Sequence, residues 1–227
     1  MFIYERNGRI CVTFKDDKPV PAPEYEFVVD KEADTVTVNG KVLTPMVTEE
    51  LAENAVYETA RVISEPVSIN LAGRMISAPE DTAGEGIFHV KKNGYLIISG
   101  KGIVNGVGKN DYSMAIWADG GHVIIDDGTF TNKGAQGNDA SHFDLIYVKN
   151  GGIVEINGGY FECETPRWTL NSNNTKPGTI IVRGGTFVGF NPAEAYTDDN
   201  GADVVNYLAP GYRAIKSDIN TWIVCKI

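Results

Sequence analysis

Asp126 and Glu155 are the two side chains in this sequence whose type and spacing come nearest to chemistry. Each sits in a copy of a short repeated phrase, GHVIIDDGTF from Gly121 and GIVEINGGYF from Gly152, at positions that alternate with apolar ones. If the two copies stack as neighbouring strands, about 4.8 Å between strands and about 6.6 Å along one place their Cα atoms roughly 8 Å apart. Carboxyls about 6.5–9.5 Å apart leave room for a water and suit inverting glycoside hydrolysis. A sequence this acidic also offers such a pair by coincidence. Arg183 falls in the same column as Ser99, Asp126 and Asn157. A lyase would need a calcium-holding cluster of acids beside such a base, and no group of three acids accompanies it.

His89, His122 and His142 are the only histidines. They fall in different columns without metal-ligand spacing, so packing or surface roles are expected, and no metal or other cofactor. Asp198-Asp199-Asn200-Gly201 partly matches a calcium loop but lacks the downstream acid, and reads as a turn. Trp168 lies in a polar stretch with Arg167 before it and Asn171 after it. An exposed aromatic beside such groups can stack on a sugar ring, which makes Trp168, Arg167 and Asn171 the glycan-binding candidates. The alternative places Trp168 inside, beneath Trp117, which itself reads as core.

These side chains need a frame, and the repeat supplies one. Copies begin at Gly94, Gly121, Gly152 and Gly178, spaced by 27, 31 and 26 residues. That period suits one coil of a solenoid. Aligned on the first glycine, three columns are wholly apolar: Leu96/Val123/Val154/Ile180, Ile98/Ile125/Ile156/Val182 and Ile103/Phe130/Phe161/Phe187. The first two columns are two residues apart and face one side of a strand. Gly128, Gly159 and Gly185 share an offset and mark a bend where φ is often positive. A further strand precedes each of the first three copies, with Phe88/Val90, Ala115/Trp117 and Ile146/Val148 expected inside. Its opposite positions, including Ile87, Met114 and Leu145, are largely apolar too. A strand apolar on both sides is usually covered on both, so Ile87, Met114 and Leu145 become the candidates for an oligomer interface.

The expected fold class is therefore all-β: a right-handed parallel β-helix, one chain wound as a solenoid, over residues 66–227. Residues 1–65 are expected to form a small α+β attachment segment. It contains strand-like pieces around Asn7-Gly8, a Pro-rich stretch at 18–23, a hairpin turning at Asn39-Gly40, and a helix over 48–63 capped by Thr48. That helix could cover the open end of the solenoid. The last stretch, from 202, is expected to close the other end. A β-sandwich is the competing reading of short, regularly spaced strands.

Composition limits the partners. With 20 basic against 30 acidic residues the net charge is −10, which disfavours binding to a nucleic-acid backbone. No apolar run approaches a membrane span. Cys11, Cys163 and Cys225 match neither a disulfide framework nor zinc spacing, and read as free thiols. The first residues do not read as a signal peptide, so synthesis in the cytoplasm is expected.

The stretches GGTFVGFNPAE (184–194) and NYLAPGYRAIKSD (206–218) resemble a C-terminal pattern in proteins of Bacteroides-type gut bacteria and their phages. More broadly, residues 66–227 resemble the right-handed β-helix of the pectate-lyase-like superfamily, which includes phage tailspikes and fibres. The resemblance implies a bacteriophage virion structural protein: a capsid-decorating, head-fibre or tail-associated appendage located in the virion. It further implies a homotrimer, contact with other virion proteins through residues 1–65, and contact with host surface glycans. The alternatives are a tailspike-type depolymerase using Asp126 and Glu155, and a bacterial surface adhesin.

Overall fold

Each glycine-led phrase contributes the first two strands of a coil, and the stretch before the next phrase contributes the third. In the computed structural model of the chain, the coils stack as a right-handed parallel β-solenoid. The structure describes residues 46–79, 86–107, 114–133, 143–196 and 204–227, with the backbone of the earlier strands Phe2–Arg6, Arg9–Thr13, Phe27–Asp30, Thr35–Val38 and Lys41–Leu43. The first sheet runs Val47–Glu50, Pro66–Asn70, Tyr95–Ser99, His122–Ile125, Ile153–Ile156, Thr179–Val182. The second runs Ala55–Val56, Met75–Ser77, Ile103–Asn105, Thr129–Thr131, Tyr160–Glu162, Thr186–Val188. The third runs Arg61–Ile63, Phe88–Lys91, Ile116–Asp119, Ile146–Lys149, Leu170–Ser172.

The two inner columns expected on the first sheet are those observed, and both extend one coil earlier, to Val67 and Ile69. The third column differs at its start. Val104, not Ile103, pairs with Phe130 and is fully buried, whereas Ile103 points outward and is 39% exposed. The turn from Ile98 to Val104 is one residue longer than the turns ending at Phe130, Phe161 and Phe187. Two adjacent apolar residues concealed that insertion. The Phe rings then stack along the axis, at 5.2 Å for Phe130–Phe161 and 4.8 Å for Phe161–Phe187.

A one-residue difference also shifts the third sheet. Its inner columns are Phe88/Ile116/Ile146/Leu170 and Val90/Ala118/Val148. The turn from Ala118 to Val123 is shorter by one residue than its neighbours, so Trp117 points outward instead of into the core. The proposed interface residues are corrected too. Ile87 (1% exposed), Met114 (3%) and Leu145 (0%) are buried within this single chain, at the corner where the third sheet begins. At that corner the chain bends, so consecutive residues can both turn inward.

The repeated glycines have two distinct causes. Gly128, Gly159 and Gly185 have φ of 117°, 105° and 106°, the left-handed region where a side chain is strained. The leading glycines are needed for close approach instead: a Cβ on Gly94 would fall on the carbonyl oxygen of Ile63, and one on Gly152 on that of Ala118. Each coil thus rests on the backbone of the coil before it.

The helix expected over 48–63 does not form. Those residues make the first coil, in strands Val47–Glu50, Ala55–Val56 and Arg61–Ile63, so the solenoid begins at Val47 rather than at 66. Thr48 pairs with Ser68 and caps nothing. The alanine stripe was legible at helical spacing, but strand pairing with the second coil prevails over local propensity. Glu49 and Arg61 occupy interior columns of this coil, facing Ile69 and Phe88 in register. They meet as a two-pronged ion pair, Nη1–Oε2 2.7 Å and Nη2–Oε1 2.5 Å, with Tyr57 Oη 3.3 Å from Nη1. An ionic bridge therefore lies across the end of the apolar column. At the other end the hairpin Tyr212–Asp218/Thr221–Lys226 pairs antiparallel with Thr186–Val188 and closes the second sheet, as expected of a terminal cap.

Before Val47, Phe2–Arg6 pairs antiparallel with Arg9–Thr13 and Thr35–Val38 with Lys41–Leu43, and Phe27–Asp30 pairs with the other side of Thr35–Val38; Asn7-Gly8 and Asn39-Gly40 themselves lie outside the described residues. The Pro-rich stretch at 18–23 lies outside the described residues, as do His142 and Asp198–Gly201. The side chain of Cys11 is likewise outside them, whereas Cys163 and Cys225 are free.

Two substitutions test the stacking. Phe161→Ala removes the middle of the ring stack and should lower unfolding free energy by about 3–5 kcal/mol in urea titration. Gly152→Ala should cost about 1–3 kcal/mol by overpacking against Ala118. A change below about 0.5 kcal/mol in both, the ordinary surface range, would contradict this packing.

Candidate functional site

The outer side of the first sheet carries Asp126 and Glu155, the carboxylates that the depolymerase alternative would use. Asp126 and Asn157 stand next to each other across two coils, with Asn157 Nδ2 donating to Asp126 Oδ1 at 2.9 Å. Arg183 follows in that column, as expected. Glu155 is in register with Ile124, two residues back. Its carboxylate is held by His122 Nε2 at 2.8 Å and Arg183 Nη1 at 2.5 Å. The His122 hydrogen bond, against the opposing effect of burial and with help from Arg183, holds Glu155 down at about 2. A general acid requires the opposite shift. The geometry therefore ties three coils together, His122, Glu155 and Arg183, rather than poising a proton donor beside Asp126.

Nearby on the same face, Tyr95, Ile97 and Ile124 form a second small core, buried on the outside of the sheet, with Met46 packed against it. A covered outer face was expected on the third sheet; it is found here.

The glycan candidates near Trp168 are dispersed. Trp168 is 3% exposed and belongs to the main core, at the end of a single 3-10 turn, Pro166–Trp168. Arg167 is exposed, its guanidinium 5.6 Å from the Trp168 ring. Asn171 is 2% exposed and sits on the outer side of the third sheet. The core alternative for Trp168 is the correct one, though not beneath Trp117.

The outer side of the third sheet brings together groups that sequence reading did not. His89, Trp117, Tyr147 and Asn171 form one column across four coils. His89 and Trp117 stack nearly parallel, 4.2 Å apart at 2°, and Tyr147 follows at 6.2 Å and 50°. His89 is almost wholly buried in this stack, so its role is packing. Two residues on, a second outward column reads Lys91, Asp119, Lys149. Lys149 Nζ lies 4.9 Å from the Trp117 ring centre. Asp119 accepts from Asn150 Nδ2 at 2.5 Å and meets His89 Nε2 at 3.3 Å. Burial alone would raise the pKa of Asp119, but Asn150 and His89 outweigh it and hold the carboxyl below its ordinary value.

Where these strands turn into the next coil, an open cleft of about 490 Å³ is lined by Lys91, Lys92, Asp119, Gly120 and Asn150. Trp117 Nε1, Asn171 Oδ1 and Asn174 Nδ2, on this face and its following turn, are buried and have no hydrogen-bond partner among the described residues. Among the described residues no group of three His, Cys, Asp or Glu could hold a metal ion. Aligning the strands FHVK, IWAD and IYVK on one another would have revealed both columns from sequence. Counting back from the glycine, across turns of unequal length, hid them.

Comparison with protein-family models, curated proteins and solved structures returned no match to this chain.

Because the folded pKa of Glu155 is depressed, its stabilisation is fully present above the ordinary carboxylate value of 4.5 and is lost as pH falls toward about 2. Glu155→Gln should lower stability at pH 7 by up to about 3 kcal/mol and flatten the acid limb between pH 4.5 and 2. Superimposable acid limbs for variant and parent in pH-dependent unfolding would contradict the clamp.

Proposed function

We propose that this chain is a structural protein of a bacteriophage virion, a rod-like appendage that meets host surface glycans through its third sheet. The observation that carries the structural reading is the use made of the outer carboxylates. Glu155 bridges His122 and Arg183, Asp126 holds Asn157, and Asp119 holds Asn150, each link joining different coils. They reinforce a stack. The virion context is proposed from the resemblance of residues 184–194 and 206–218 to a pattern in proteins of Bacteroides-type gut bacteria and their phages.

Residues 47–63 belong to the solenoid, which narrows the segment proposed to attach to other virion proteins from 1–65 to the residues before Val47. Side-by-side self-association, trimeric in this reading, would use the outer side of the second sheet, where Ile103, Tyr160 and Ile223 are exposed in one column. Depolymerase activity is the weaker reading, because Glu155 lacks the raised pKa of an acid catalyst.

Mass spectrometry of purified virions, together with an assay for reducing ends on host capsule, tests this function. The expected result is the chain at structural stoichiometry and no sugar release. Its absence from virions, or sugar release abolished by Asp126→Asn, would overturn it.

A further inference from the structure

We infer that the three-stranded sheet of Phe27–Asp30, Thr35–Val38 and Lys41–Leu43 docks on the outer side of the first solenoid sheet, over Tyr95, Ile97 and Ile124. The inference goes beyond the function proposed above. It concerns this chain alone and stands whether or not the chain belongs to a virion.

An outward side chain on a solenoid sheet faces solvent unless something lies on it. The second sheet shows the uncovered case, with Ile103, Tyr160 and Ile223 at 39%, 38% and 42% exposed. Tyr95, Ile97 and Ile124 occupy equally outward positions on the first sheet, yet they are 0%, 3% and 7% exposed. Pro66, which precedes Tyr95 in its column, is buried too. Further along the same face Ile153 and Ile181 are only half-buried. The cover is therefore local to the early coils. Among the described residues outside the cluster, Met46 is the hydrophobic one packed against it. A single side chain does not seal three.

The chain leading into Met46 supplies a matching surface. Strand register places Phe27, Val29, Val36, Val38 and Leu43 on one face of the small sheet, with Lys41 the one charged residue among them. Val28, Asp30, Thr35, Thr37 and Val42 fall on the other face. A sheet with one apolar face buries it against another element. Two sheets meeting face to face pack about 10 Å apart.

The tether decides where this sheet can lie. Only Thr44 and Pro45 separate Leu43 from Met46, so the two ends are within about 11 Å of each other. Val47 pairs with Val67, and Val67 with Leu96. Met46 therefore begins the column of Pro66 and Tyr95, two strand spacings or roughly 10 Å from Tyr95. The other surface within reach is the open end of the first coil. A cover there would bury Val47, which continues the inner column of Val67 and Leu96, but Val47 is 53% exposed. Burial thus selects the outer face over the end. In a virion the docked sheet would belong to the rod, and attachment would fall to the residues before Phe27.

The test is photo-crosslinking in the full chain. Val38→p-benzoylphenylalanine probes the apolar face of the small sheet, and Thr37→p-benzoylphenylalanine the opposite face. An equal mixture of isotopically light and heavy chains separates contacts within one chain from contacts between copies. Adducts from position 38 to residues 95–97 or 122–124 of the same chain are expected, at least tenfold more abundant than from position 37. Adducts to residues 47–51, adducts between copies, or none at all would overturn the inference. Hydrogen exchange gives an independent reading. Ile97→Glu places a charge in the patch and leaves the inner columns intact. Amides of residues 27–43 should then exchange at least tenfold faster, while those of Tyr160–Glu162 and Thr186–Val188 keep the parent's rates. Unchanged exchange over residues 27–43 would overturn the inference. The crosslinking variants alter only residues outside the solenoid, so that arm does not depend on the folding of Ile97→Glu.

Discussion

Every coil of this protein must lie on the backbone of the coil before it at the spacing of hydrogen-bonded strands. That constraint determines the rest. It demands a leading glycine where a Cβ at Gly94 or Gly152 would meet the preceding carbonyl. It aligns like residues into columns, so Phe130, Phe161 and Phe187 stack as rings. It also aligns whatever points outward, so a polar or aromatic residue in one coil acquires neighbours in the next. Elements that repeat in this way contact mainly their neighbours, and the ends need separate solutions. One end has the Arg61–Glu49 bridge placed in interior columns; the other has an antiparallel hairpin.

The outer surfaces then divide their roles. On the first sheet, His122, Glu155 and Arg183 bind three coils together, and Tyr95, Ile97 and Ile124 are covered. On the third, an aromatic column and a lysine-bearing column run side by side into an open cleft. At the corner where the second sheet leads to the third, buried Asn132 anchors long connections. It donates to the carbonyl of Phe143 at 3.1 Å and accepts from the amide of Glu164 at 2.7 Å. Cys163 Sγ lies 2.9 Å from the same Phe143 carbonyl, and burial pushes its thiol up to about 12. A thiol so held is unreactive, and its role is to fix the base of a loop.

Much of this was legible in the sequence because the inner columns repeat the same residue types. The first-sheet columns were readable residue by residue, as was the positive φ at Gly128, Gly159 and Gly185. What failed did so for a common reason. A one-residue change in turn length moves a strand's whole pattern to its other face. Ile103 and Trp117 were misplaced by that shift, and Trp117 was thereby lost from the surface where it matters. The first coil was missed because its alanines suggest a helix, while its strand character comes from pairing with Pro66–Asn70 and Met75–Ser77. The Glu155 clamp required knowing that His122 and Arg183 flank it on adjacent coils.

The central claim is that the rod recognises its target through the third sheet while the first-sheet carboxylates serve structure. Covalent footprinting of the protein bound to host-cell envelope, read by mass spectrometry, tests this most directly. The account predicts that acylation of Lys91, Lys92 and Lys149 is suppressed on binding, with carboxyl labelling of Asp126 unchanged. Protection centred on Asp126 and Glu155, with the three lysines labelled as in the free protein, would contradict it.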